Sequence, residues 1–178
     1  MAAAINPVEL TRELVACPSV TPEDAGAQEV LARALEAQGF SVHRFVSGGP
    51  PHGPVPNLVA IRGSGAPHFA FAGHSDVVPA GKGWTGDPFA AEERGALLYG
   101  RGVVDMKGAI AAFTAAAARV TDHRGTLSLL ITGDEEGPAI HGTRAIIEWL
   151  DTRGLRPDMI LVGEPTSEAR LGDTIKIG

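Results

Sequence analysis

A chain of 178 residues, 44% hydrophobic and 20% charged, suits one well-buried soluble domain and is too short for two ordinary ones. Its net charge of -6 leaves no excess of Lys and Arg to neutralise phosphates, which argues against a nucleic-acid partner. The single cysteine, Cys17, excludes an intrachain disulfide and a cysteine-based zinc site, and reads as a packed small side chain rather than a nucleophile.

Met1 to Ile5 carry neither the basic stretch nor the apolar core of a signal peptide. A first helix is expected to start at Asn6 as cap, with Pro7 in the first helical position and Glu9 in the first turn, and to end near Cys17-Pro18. A second repeats that grammar with Thr21 as cap, Pro22 next and Gly39 just past its end; Val30, Leu31, Ala34 and Leu35 form its apolar stripe. Phe40 to Phe45 reads as a strand and Gly48 to Pro56 as a Pro- and Gly-rich loop. Asn57 to Ile61 and Phe69 to Ala72 are short apolar runs, followed by a long polar connection from Pro79 to Gly95 and a short strand at Leu97 to Tyr99. Met106 to Val120 is an Ala-rich helix whose small side chains allow close approach to a sheet. Its most apolar stretch, Gly108 to Ala118, is too short to span a bilayer, so the expectation is a cytoplasmic protein that meets no membrane. Leu127 to Thr132 is a strand, Thr143 to Arg153 a helix ended by Gly154, and Met159 to Val162 a strand. The alternation predicts an α/β protein with a mixed, largely parallel sheet flanked by helices. The two last strands are nearly continuous in apolar residues, which predicts cover on both faces.

Three of these apolar runs end in potential metal ligands, each behind a glycine. Gly73 leads into His74, with Asp76 two residues on; Gly133 leads into Asp134, Glu135 and Glu136; Gly163 leads into Glu164. The carboxyl edge of an open α/β sheet is where ligands bind. Taken singly, a carboxylate after a strand is a solvated loop residue or a helix cap, and a lone His is structural. Taken together, so many carboxylates repel unless a cation offsets them. Asp105, between a short strand and the Ala-rich helix, adds a fourth element, with a helix N-cap as its bland alternative. The Gly100-Arg101-Gly102 spacing is a poor dinucleotide fingerprint, because Asp105 stands where the third glycine belongs. Consecutive Glu135 and Glu136 point to opposite sides just beyond a strand, so one can bind metal while the other acts as general base on water.

The strings GHSDVVP from Gly73, GRGVVDMKG from Gly100, TGDEEG from Thr132 and GEPT from Gly163 occur in that order, within a likeness running from CPSVTP at Cys17 to GDTIKIG at Gly172. In these the chain resembles the co-catalytic zinc peptidases and amidohydrolases that include aminoacylases and acetylornithine deacetylase. The resemblance implies that residues 1–178 are the N-terminal portion of the catalytic metal-binding domain. It further implies that His74 and Glu164 bind one zinc, Glu136 the second, and Asp105 bridges them. Asp76 would hold the His74 ring, and Glu135 would be the base and then the acid. A cis peptide is implied between Asp105 and Met106. Ser75 stands where the family commonly has Thr.

The branch most alike hydrolyses a small-molecule substrate, N-succinyl-LL-diaminopimelate, with two zinc ions per complete site, cobalt being an alternative, and works as a homodimer at full length. Catalytic zinc takes three protein ligands. The first position has them in His74, Asp105 and Glu164, whereas the second has only Asp105 and Glu136. In the family the missing ligand is a histidine near the C-terminus of a longer chain, beyond an inserted dimerising lid. His43, His52, His68, His123 and His141 have no metal-like context. The expectation is one zinc or none in this chain, and little or no activity alone. Two alternatives share the same residues: a sister N-acyl amino acid deacylase, and a short protein that binds metal or a partner without catalysis.

Overall fold

The computed structural model describes residues 4–164, 167, 169–170 and 173–174. Helix α1 (Pro7–Val15) begins as its sequence predicts, with the Asn6 side chain accepting from Val8 N at 2.9 Å. Helix α2 (Ala27–Glu36) does not begin at Thr21. The chain there is extended instead: Val20 bridges Val77, and Thr21 N donates to Val77 O at 3.1 Å. The helix starts only after a turn held by Asp24, whose carboxylate accepts from Gly26 N and Gln28 N.

Strands β1 (Ser41–Ser47), β2 (Val55–Ser64) and β3 (His68–His74) follow, and then a small hairpin of β4 (Glu92–Arg94) and β5 (Leu97–Tyr99). Val103–Lys107 makes one wide turn that is non-helical at Asp105 and Met106, and the peptide joining those two residues is cis. Helix α3 (Gly108–Arg119), strand β6 (Gly125–Thr132), helix α4 (Thr143–Asp151) and strand β7 (Met159–Val162) complete the order.

The main sheet runs β1-β2-β6-β3-β7. Its β1/β2 and β2/β6 pairs are antiparallel and its β6/β3 and β3/β7 pairs parallel, so only β2 runs against the rest. On one face Leu14, Leu31, Leu35 and Ile110, from α1, α2 and α3, pack with Phe71, Leu129 and Ile131. Ala111, Ala115 and Ala117 are buried, which gives α3 the close approach its composition predicts. On the other face Ile146 and Leu150 of α4 cover Val59, Ala70 and Leu130. The architecture is therefore α/β, a mixed sheet between helices.

Cover on both faces holds for β6 and fails for β7. Every β7 residue is exposed; among the described residues β7 is the last strand of the sheet and pairs with β3 alone. No helix of the described residues is long and apolar enough to cross a membrane.

Candidate metal centre

The adjacent strands β6, β3 and β7 end at the same edge, and each delivers ionisable groups there. His74 is the last residue of β3; Glu135 and Glu136 follow β6; Glu164 lies two residues beyond β7. Asp105 comes from the wide turn before α3. The glycines before these groups answer to packing. A Cβ on Gly73 would lie 2.6 Å from Met106 Cε, and one on Gly163 would lie 2.6 Å from Phe71 Cζ and 2.9 Å from Met106 Cε. Met106 is fully buried, and its Sδ accepts from His74 N at 3.3 Å. The turn that carries Asp105 thus packs directly under His74 and Glu164.

His74 is the hub. Its Nε2 lies 3.1 Å from Asp105 Oδ1, 3.0 Å from Glu164 Oε1 and 3.8 Å from Glu135 Oε2. Its Nδ1 lies 2.9 Å from the Asp76 carbonyl oxygen and 3.5 Å from Asp76 Oδ1. Burial alone would lower the imidazole pKa, but the hydrogen bonding and charge of Asp76, aided by Glu164, push it up to about 9. Burial likewise opposes ionisation of Asp76, yet His74 and the amides of Glu135 and Glu136 hold its carboxyl below the usual range.

Two groups of donors converge closely enough for a cation: His74 with Asp105 and Glu164, and His74 with Glu135 and Glu136, the ligand atoms of each lying within 4.8 Å of one another. The second group forms around His74 rather than Asp105, and it takes in Glu135 beside Glu136. Burial and the charge of Asp105 push Glu136 above the usual carboxylate range, and Glu135 and Asp76 add to this. One imidazole among carboxylates is a donor set that zinc, cobalt and manganese all accept, so the residues present fit a metal. Among the described residues His43, His52, His68, His123 and His141 join no such group.

An apolar cleft of about 450 Å³ opens beside these ligands, with Ile146, Leu150 and Val162 in its wall along with His74, Glu135 and Glu164. Cys17 is half-buried, and burial raises its thiol above the ordinary value, which fits a packed side chain rather than a nucleophile. Sequence reasoning missed Lys107, which is fully buried with Nζ donating to Leu14 O and Cys17 O at 2.8 Å each, pinning the Asp105 turn to the end of α1. It counted Asp134 among the potential metal ligands, whereas Asp134 joins neither donor group; its Oδ2 accepts from Ile140 N and His141 N and closes the loop carrying Glu135 and Glu136. Pro165 and Thr166 of the GEPT string, and Gly172 and residues 175–178 of the GDTIKIG segment, lie outside the described residues.

Residues 70–178 match peptidase family M20/M25/M40. The chain is 70% identical over 174 residues to a succinyl-diaminopimelate desuccinylase of Rhizorhabdus wittichii, covering 98% of this chain and 46% of that protein. It is 61% identical over 178 residues to a protein of the same name from Zymomonas mobilis, covering all of this chain and 47% of the relative. The chain thus spans about half the length of the curated relatives it matches. Among solved structures, human carnosine dipeptidase 1 superposes with a TM-score of 0.77 at 27% identity, over 90% of this chain and 38% of that one. An M20 metallo-carboxypeptidase of Sulfolobus solfataricus shares the fold, with a TM-score of 0.75 at 21% identity over 90% of this chain and 38% of its own.

Proposed function

The chain belongs to peptidase family M20/M25/M40, and from that premise we propose that residues 1–178 are the N-terminal, metal-binding portion of the catalytic domain of a hydrolase acting on N-succinyl-LL-diaminopimelate. The products are succinate and LL-diaminopimelate, a step towards lysine. The observation that carries this reading is the convergence of His74, Asp105 and Glu164 within 4.8 Å, in a chain 70% identical to a protein named for that reaction.

In this reading His74, Asp105 and Glu164 would hold one zinc, and Glu136 together with Asp105 would serve the second position; cobalt is an alternative metal. A bound divalent cation supplies Lewis acidity towards water and the amide carbonyl. The chain's own residues do the rest. Glu135, half exposed at the rim and 3.8 Å from His74 Nε2, takes a proton from water and hands it to the leaving amine. The main-chain carbonyl of Asp76 engages His74 Nδ1, which fixes the ring with Nε2 facing the carboxylates. The apolar cleft beside them offers the substrate a hydrophobic wall next to the reacting centre.

The second position is one protein ligand short of the usual three. The ligand that completes it, the lid and the dimer contacts belong, in this reading, to the half of the longer protein that this chain does not span. The protein works in the cytoplasm, a setting that its one unpaired cysteine suits. The test is zinc stoichiometry and hydrolysis of N-succinyl-LL-diaminopimelate by the purified chain. At most one zinc with little or no turnover is expected, while two zincs with full turnover would sink the half-site argument. A panel of N-acetyl and N-succinyl substrates on the complete enzyme separates the desuccinylase from a sister deacylase.

A further inference from the structure

Glu135 and Glu136 are like-charged neighbours on the loop after β6, Glu135 exposed and Glu136 partly buried. Their backbone is held from the neighbouring strand. Asp76, only 1% exposed in its side chain, accepts from Glu135 N through Oδ1 at 3.3 Å and from Glu136 N through Oδ2 at 3.1 Å. Asp76 is itself fixed on both sides, because Ser75 N donates to Thr132 O and Val77 N donates to Ser19 O, each at 2.9 Å. His74 Nδ1, by contrast, is nearer the Asp76 carbonyl, at 2.9 Å, than its carboxylate, at 3.5 Å. The ring therefore has a main-chain partner of its own, while Oδ1, which also faces the ring, and Oδ2 each accept from an amide.

We infer that the Asp76 carboxylate is a positioning residue for Glu135 and Glu136, clamping their consecutive amides to the end of β3. The clamp joins the two strand ends that meet at the site. It sets the backbone from which the two carboxylates reach towards His74, so that their approach to it is fixed before any ligand arrives. Removing the carboxylate frees the Glu135–Glu136 backbone while leaving the imidazole its carbonyl partner. The bearing of this on hydrolysis rests on the roles proposed above for Glu135 and Glu136; the clamp itself does not.

The experiment is residue-resolved amide hydrogen exchange on the full, metal-free chain by NMR. In Asp76→Ala, exchange at Glu135 and Glu136 is expected to rise about tenfold, the worth of one net hydrogen bond, while Leu129 and Ile131 amides keep their protection. Asp76→Asn retains one acceptor oxygen and is expected to keep protection at one of the two amides. His74→Ala is expected to leave both protected. Unchanged exchange at both amides in Asp76→Ala, or equal loss in His74→Ala, overturns the inference. Should Asp76→Ala not fold, Asp76→Asn decides: one amide released supports the clamp, and both kept or both lost overturns it. A cobalt titration of the unaltered chain runs in parallel; no cobalt uptake alongside the expected exchange pattern sinks the metal-centre reading and leaves the clamp standing.

Discussion

Strands β6 and β7 flank the same central strand and run in the same direction, yet one is buried along nearly its whole length and the other is exposed at every residue. The loops that follow them differ in the same way. The one after β6 is tied by Asp76 from outside and by Asp134 from within. Beyond β7, Glu164 meets the site through a contact with His74 at 3.0 Å, from a strand with an uncovered apolar surface on each face. The candidate metal centre is thus built with one firm wall and one wall on the rim of the sheet. Preorganisation is strongest where the chain has packed itself on both sides.

The sharpest way to break that contrast is through the group both walls share. His74 belongs to both convergent sets, so His74→Ala should abolish cobalt binding, measured by visible absorption titration. The loss should exceed the roughly 10–100-fold that follows removal of an outer partner of a ligand. Glu136→Ala, which leaves His74, Asp105 and Glu164 in place, should cost this chain far less. Equal losses in the two variants would mean that the firm wall, not the three-ligand set, holds the ion.

Matched truncations compare the two strands directly. Leu129 of β6 is fully buried, whereas Leu161 of β7 is 49% exposed. Leu129→Ala should therefore destabilise by about 2–5 kcal/mol in urea denaturation, and Leu161→Ala by about 0.5 kcal/mol or less. Gly73→Ala falls between. Its new Cβ would sit 2.6 Å from the buried Met106 Cε, and the cost of overpacking is about 1–3 kcal/mol. It should also weaken cobalt binding, because Met106 is packed against the residues on either side of the ligand cluster.

How far this contrast could be read from sequence follows from what each residue's neighbours are. The apolar runs located β3 and β6 to within a few residues and β7 to the residue, because a run of apolar side chains is a local property. His74, Asp105, Glu135, Glu136 and Glu164 were legible for the same reason, as charged groups at the ends of such runs. The small hairpin strand β4 was not, since Glu92, Glu93 and Arg94 are all exposed and show no alternation. Thr21 looked like a helix cap, but its segment is drawn into a bridge with Val77, a partner 57 positions away from Val20. Lys107 carries no sequence signal of its own, and only the fold reveals that it reaches the carbonyls at the end of α1. The exposure of β7 was the plainest failure. Its composition is that of a covered strand, and what covers such a strand is not written in the strand.

That mismatch yields the smallest effect on stability and the most informative one on behaviour. An exposed apolar edge strand is a template for pairing with another chain, and contiguous apolar surface of this kind marks a contact site. Leu161→Lys should change the stability of this chain by no more than about 0.5 kcal/mol, because the side chain is already half in water. It should nevertheless reduce self-association in sedimentation velocity, since a charge now sits on the surface that would pair. A large loss of stability would mean that β7 is covered within the chain after all, and the contrast between the two walls would disappear. Unchanged association would place the sticky surface elsewhere and leave β7 a passive edge.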